Sequence, residues 1–182
     1  MKTDLSKFNN DWYNPGSKLK ILSWYFVNAF LFNNALFPIN SIKIKMLRLF
    51  GAKVGKGVLI KPSVNIKYPW LLAIGNNVWI GEGVWIDNLA KVTIGDNVSI
   101  SQGAMLLCGN HDFKKSTFDL MVGEINIEEG VWIGAKTVVC PNITCGSHSI
   151  LTVGSIASKD LEPYGIYKGN PAIKVKQRKM GV

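Results

Sequence analysis

Residues 74–100 read IGNNVWIGEGVWIDNLAKVTIGDNVSI. An aliphatic residue returns every six positions at Ile74, Ile80, Ile86 and Val92, and then, two residues on, at Ile94 and Ile100. The same beat extends outward, upstream to Val54, Ile60, Ile66 and Leu72, and downstream to Leu106, Ile127, Ile133, Val139, Cys145 and Leu151. Fifteen of these sixteen positions are Ile, Leu or Val in a chain that is 47% hydrophobic on a broader count, so composition does not explain the pattern. An amphipathic helix repeats its apolar residues at three and four, and a half-buried strand at two. A period of six fits a β-solenoid in which each hexapeptide is one short strand plus a corner, with position i directed into a shared core. Position i+1 is often glycine (Gly55, Gly75, Gly81, Gly95, Gly134, Gly146), as a tight corner tolerates. Position i+4 is again apolar or small (Val58, Val64, Val78, Val84, Val98, Ala104, Val131, Thr137, Ile143), which directs two residues of each strand inward.

The interruptions carry as much information. The count slips by two after Leu72 and again after Val92, each time three hexapeptides into a coil, so three hexapeptides make one turn. About five coils then start at Val54, Ile74, Ile94, Ile127 and Cys145, and one edge of a triangular prism carries every excursion, the longest spanning residues 112–126. This divides the chain into an N-terminal arm and helical cap (1–53), an all-β solenoid (54–157) and a C-terminal tail (158–182).

Composition narrows the chemistry. Lys and Arg number 21 against 12 Asp and Glu, a formal net charge of +9 that invites an anionic partner. The cations gather before the solenoid, from Lys18 to Arg48, and after it, from Lys159 to Lys179. No helix-turn-helix, zinc-finger or RNP pattern accompanies them, which points away from nucleic acid and toward a phosphorylated cofactor or an anionic membrane surface. Three cysteines without a CxxC pair argue for reduced, non-catalytic thiols in the cytoplasm. The N-terminal MKTDLSKFNN is polar where a signal peptide needs an apolar core.

Residues 1–16 read as an irregular polar arm anchored by Phe8, Trp12 and Tyr13, with no suggestion of chemistry. Residues 18–37 are strongly apolar but broken by Asn28, Asn33 and Asn34. They suit either a helix capping the first coil or an interfacial helix touching a membrane. A short basic helix, SIKIKMLRLFGAKVG, leads into the first coil. His111 is one of two histidines and sits beside the long excursion, where an imidazole can accept a proton near neutral pH.

Here the residues carry a resemblance. The hexapeptides, the GNHDF excursion (109–113) and the ending VGSIASKDLEPYGIYKGNPA (153–172) resemble the left-handed β-helix acyltransferases of the hexapeptide-repeat superfamily. DLSKF (4–8), IKPSVNIKYPW (60–70) and VWIGEGVWIDN (78–88) are similar to the colanic-acid-biosynthesis acetyltransferase type. The left hand is implied by the resemblance alone. So are a homotrimer, acetyl-CoA as acyl donor, and three active sites in clefts between prisms. The family's catalytic base falls on His111, at the last position of the third coil's third hexapeptide, and a backbone N–H, at Ala135, would hold the oxyanion. The pantetheine arm would run beside Trp132, Ala135 and Val153. The adenine and phosphate end would lie near Ser158 and Lys159, with Lys174, and behind it Lys176 and Arg178, reaching the 3′-phosphate. Exposed solubilising charge is the alternative for the last two, and a trimer interface shared with Trp79 and Trp85 is the alternative for Trp132.

Galactoside-type relatives carry an acceptor-binding Asn where this chain has Gly81, so that pocket does not transfer. Asp87, Asn88 and Asp112 lie on the excursion-bearing face and are the expected acceptor-binding residues, with corner-turn roles as the alternative. The expected activity is O-acetylation of a sugar in a surface polysaccharide or its lipid-linked precursor. N-acetylation of an amino sugar, O-acetylation of serine and a non-catalytic scaffold are the competing readings. A carbonic-anhydrase-like site needs three histidine ligands where only His111 and His148 exist, so no metal is expected.

Overall fold

The computed structural model describes residues 2–181; Met1 and Val182, the end residues of the expected arm and tail, lie outside it. Residues 53–168 wind as a left-handed parallel β-helix of triangular section. Face A stacks Lys53–Val54, Leu72–Ile74, Val92–Ile94, Ile125–Ile127 and Thr144–Cys145. Face B stacks Leu59–Ile60, Trp79–Ile80, Ser99–Ile100, Trp132–Ile133, Ile150–Leu151 and Gly165–Lys168. Face C stacks Asn65–Ile66, Trp85–Asp87, Met105–Leu107, Val138–Val139 and Ile156–Ala157. The register is the one the repeat implies: Val54 faces Ile74, then Ile94, Ile127 and Cys145. The expected coil count is short by part of a turn. Leu161 bridges to Cys145 and Tyr167 pairs with Leu151, so the segment read as the start of a tail begins a sixth coil. Ile173–Gln177 then folds back antiparallel on face B and closes its upper edge.

The core is the set the period names. All i positions except Val54 are buried, as are all nine i+4 positions, including Thr137, whose hydroxyl donates to the Gly134 carbonyl at 2.8 Å. Each buried aliphatic of this kind contributes about 1.5–3 kcal/mol, so the column supplies the fold's main driving force. The role expected of the glycines divides in two. The left-handed backbone falls at i+3, where Asn77, Asn97, Gly83 and Gly103 take φ of 55–66°. The i+1 glycines answer a different constraint, close contact between coils: a Cβ on Gly134 would stand 2.6 Å from the Leu151 carbonyl oxygen.

The apolar run 18–37 caps the first coil. The helix α1 (Lys18–Val27) starts where Ser17 accepts from Lys20 N, runs into a π-turn at Asn28–Phe32, and is followed by α2 (Asn40–Leu49). The first coil has three open strand edges, and this cap satisfies each of them. Asn28 accepts from Ile66 N and donates to Asn65; Asn40 accepts from Ile60 N and donates to the Val58 carbonyl; Arg48 donates to the carbonyls of Val54 and Gly55. Lys43, fully buried, donates to the Lys61 carbonyl at 2.9 Å, and burial lowers its pKa. The three asparagines that break the run are therefore not equivalent: Asn28 completes a sheet edge, Asn34 closes a local turn onto Leu36, and Asn33 is exposed.

Candidate active site

All three insertions leave from the edge between faces C and A, as the sequence requires. The longest is more ordered than the expected loop. It is a β-hairpin pairing Gly109–His111 with Leu120–Val122, held at its base where Gly123 N donates to the Cys108 carbonyl at 2.8 Å. His111 thus stands at the end of a hairpin strand, off the prism wall, and not at a coil corner.

The imidazole is clamped. It stacks on Phe118 with ring centroids 4.5 Å apart, and its Nδ1 lies 2.9 Å from the Phe118 carbonyl oxygen. A carbonyl can only accept, so Nδ1 carries a proton, and in the neutral ring the lone pair is therefore on Nε2. Phe8, from the arm, closes from another side at 5.9 Å between centroids.

The arm is the part whose role the sequence concealed. Asp4 N donates to the Ser116 carbonyl at the hairpin tip (2.8 Å), the Tyr13 hydroxyl donates to the Leu89 carbonyl (2.6 Å), and Trp70 Nε1 donates to the Pro15 carbonyl (2.6 Å). Between arm, hairpin and prism edge lies a cleft of about 590 Å³, lined by Phe8, Asn10, Tyr13, Pro15, Lys67, Tyr68, Asp87, Leu89 and the hairpin strands with His111. Asp87 Oδ1 lies 2.9 Å from Lys67 Nζ, a charge contact whose angle does not make a hydrogen bond. Burial raises the phenol pKa values of Tyr13 and Tyr68, so both stay neutral at ordinary pH. One signal for Lys67 and Tyr68 was present in the sequence: by register they stack one coil below Asp87 and Asn88.

Of the expected acceptor residues, Asp87 lines this cleft. Asn88 does not. It is fully buried and its amide bridges the backbone of Tyr68, accepting from N and donating to O, which makes it a rung between coils. Asp112 turns the hairpin tip, accepting from Lys114 N at 3.0 Å, and lies outside the cleft lining.

The expected cofactor residues lie outside this cleft. Ala135 and Val153 stack at the corner between faces B and C, where Gly154 N donates to the Ala135 carbonyl. Trp132 lies on face B in the same outward row as Trp79, held by its Nε1–H to Ser101 Oγ at 2.9 Å, whereas Trp85 is on face C. Ser158 and Lys159 are exposed beyond face C's last strand. Lys174 is paired with Glu162 at 2.6 Å, a bond that raises its pKa. Arg178 is half-buried and donates through one Nη to the carbonyls of Gly130 and His148, which ties the tail to the prism. His148 is half-buried against Tyr164. None of Trp132, Ala135, Val153, Ser158, Lys159 or Lys174 lines the His111 cleft: Trp132, Ala135 and Val153 stand on face B and its corner with face C, and Ser158 and Lys159 at the C–A edge two coils above the hairpin.

The buried thiols are inert. Burial pushes Cys108 up to about 11 and Cys145 up to about 12, which keeps both protonated and poorly nucleophilic at neutral pH. Among the described residues no cluster of His, Cys, Asp and Glu could hold a metal ion.

The chain is 35% identical over 176 residues to WcaF of Escherichia coli (strain K12), named as a colanic acid biosynthesis acetyltransferase, covering 96% of this chain and 97% of that one. The chain belongs to the hexapeptide-repeat acetyltransferases. A second member of that group, the galactoside O-acetyltransferase of Escherichia coli (strain K12), is 32% identical over 130 residues, covering 69% of this chain and 64% of that protein. Among solved hexapeptide-repeat structures, a galactoside acetyltransferase in complex with coenzyme A superposes with a TM-score of 0.78 at 26% identity, covering 88% of this chain and 82% of that one. A hexapeptide-repeat acetyltransferase from Vibrio cholerae shares the fold with a TM-score of 0.81 at 20% identity, covering 90% and 93%. No family model matches the chain.

Proposed function

We propose that this protein transfers an acetyl group from acetyl-CoA to a hydroxyl of a sugar in a surface polysaccharide or its lipid-linked precursor, with His111 as general base. The observation that carries this reading is the His111–Phe118 pair: the bond from Nδ1–H to the carbonyl fixes the ring and leaves Nε2 as the nitrogen available to take a proton. Nε2 takes the acceptor's proton as its oxygen attacks the thioester carbonyl. The oxyanion is held by a backbone N–H, at Ala135. Collapse expels the coenzyme thiolate, which takes the proton back from His111. No acyl-enzyme forms.

The cleft suits a sugar. Phe8, Tyr13 and Tyr68 offer apolar faces, and Asp87 and Asn10 offer polar groups beside them, the mixture that carbohydrate pockets use. The separation of His111 from Ala135 and Val153 supports a homotrimer, in which a neighbouring prism brings the thioester to the base. Trp132, Ser158, Lys159 and Lys174 would then guide the coenzyme along that neighbour. Reaction in the cytoplasm, with peripheral membrane contact through residues 18–37, belongs to the same reading.

The direct test is calorimetric titration with CoA and acetyl-CoA. One site per chain is expected, and a folded protein that binds neither would overturn the assignment.

A further inference from the structure

The cap spends only one side on the prism. Trp24, Phe32, Lys43 and Leu47 are buried in it, whereas Leu19, Leu22, Phe26 and Phe30 recur at spacings of three and four along the other side and are each more than half exposed. Leu36, in the turn between the helices, is 90% exposed, and Leu49, at the end of α2, is 71% exposed. Large apolar side chains bared together at this density mark a surface that something covers.

The charge around the patch identifies what covers it. From Lys18 to Lys53 the chain carries six Lys or Arg and no Asp or Glu, and Lys18, Lys45 and Lys53 are exposed. A second copy placed on this surface by two-fold symmetry would set cations against cations, with no acidic residue in the stretch to answer them. An anionic lipid surface answers both features. Length settles the mode. At 1.5 Å per residue the helical stretch from Lys18 to Phe32 is about 22 Å long, short of the ~30 Å hydrocarbon core, and no helix among the described residues is long and apolar enough to cross a membrane. A helix of this kind lies in the interface, its apolar side about 5–10 Å deep among headgroups and upper acyl chains.

We propose that the cap docks the enzyme on an anionic lipid bilayer, with α1 in the plane of the headgroups. The consequence for catalysis rests on the acetyltransferase reading. The cap seals the first coil, Lys67 and Tyr68 of the cleft belong to that coil, and the His111 hairpin leaves the third. Two inter-strand steps of ~4.8 Å therefore set His111 about 10 Å above the capped edge, within reach of a sugar carried on a membrane lipid.

The test is co-sedimentation with vesicles of phosphatidylcholine alone or mixed with phosphatidylglycerol, comparing the full chain with the Leu22→Glu/Phe26→Glu double variant. The full chain should bind the anionic vesicles at least tenfold better than neutral ones, since each cation near such a surface is worth about fivefold. The variant should lose that binding while keeping its melting temperature and CoA affinity, because both side chains are exposed and remote from the cleft. Four results would overturn the proposal: no binding by the full chain, equal binding to both vesicles, equal binding by the variant, or self-association that the variant abolishes without vesicle binding. CoA affinity is read on the same samples, so failure of the docking surface and failure of the acetyltransferase reading remain distinct.

Discussion

Face B and the edge between faces C and A are built from the same hexapeptides and do opposite things. On face B, Ile80, Ile100, Ile133 and Leu151 point inward and Trp79, Ser99, Trp132 and Ile150 outward, coil upon coil, with no residue inserted. Each outward side chain meets only its column neighbours, so a regular wall is stable but converges on nothing. At the C–A edge the repeat is broken three times. Those breaks lift His111 off the wall, lengthen the corner that carries Tyr68 and Leu89, and give the arm a ledge to cross. In a solenoid, chemistry requires a departure from the period, because only a departure brings side chains from different heights to one point.

The contrast can be broken most sharply at the edge. His111→Ala should lower turnover by about 10²–10⁴-fold, the usual worth of a general base. CoA affinity and melting temperature should hold nearly constant. A parallel loss of CoA binding would make His111 a structural residue.

Ile100→Ala tests the wall. Ile100 is fully buried among face B's strands, and its truncation should cost about 2–5 kcal/mol in denaturant unfolding. The activity of the folded fraction should be unchanged. If kcat fell while stability held, wall and edge would not be the independent regions described above.

Phe8→Ala should have the smallest effect. Losing one aromatic contact over the cleft should raise the acceptor KM about two- to tenfold, with kcat, CoA affinity and melting temperature little moved. An unchanged acceptor KM would return the arm to a packing role.

The sequence was unequally legible. The register, the core list and the single edge of excursions all followed from counting, and so did the place of His111 beside the longest break. The cap was legible only as one of two readings, and the structure shows the inner face of α1 sealing the first coil while Leu19, Leu22 and Phe26 stay exposed. The lining of the His111 cleft was legible only in part. Asn88 carries the residue type of a sugar ligand but is a rung between coils, and the arm, read as inert, supplies a wall of the cleft.

The division has one physical cause. Each coil of a solenoid touches only the coils next to it, so spacing along the chain becomes position in space, and a period of six determined the prism by itself. Contacts that join distant parts of the chain leave no such trace. Phe8 meets His111, and Asp4 N meets the Ser116 carbonyl, across almost the whole length between arm and hairpin. Only packing against the finished edge could decide where the arm would lie, and the tautomer of His111 waited on the hairpin that set the Phe118 carbonyl against its ring.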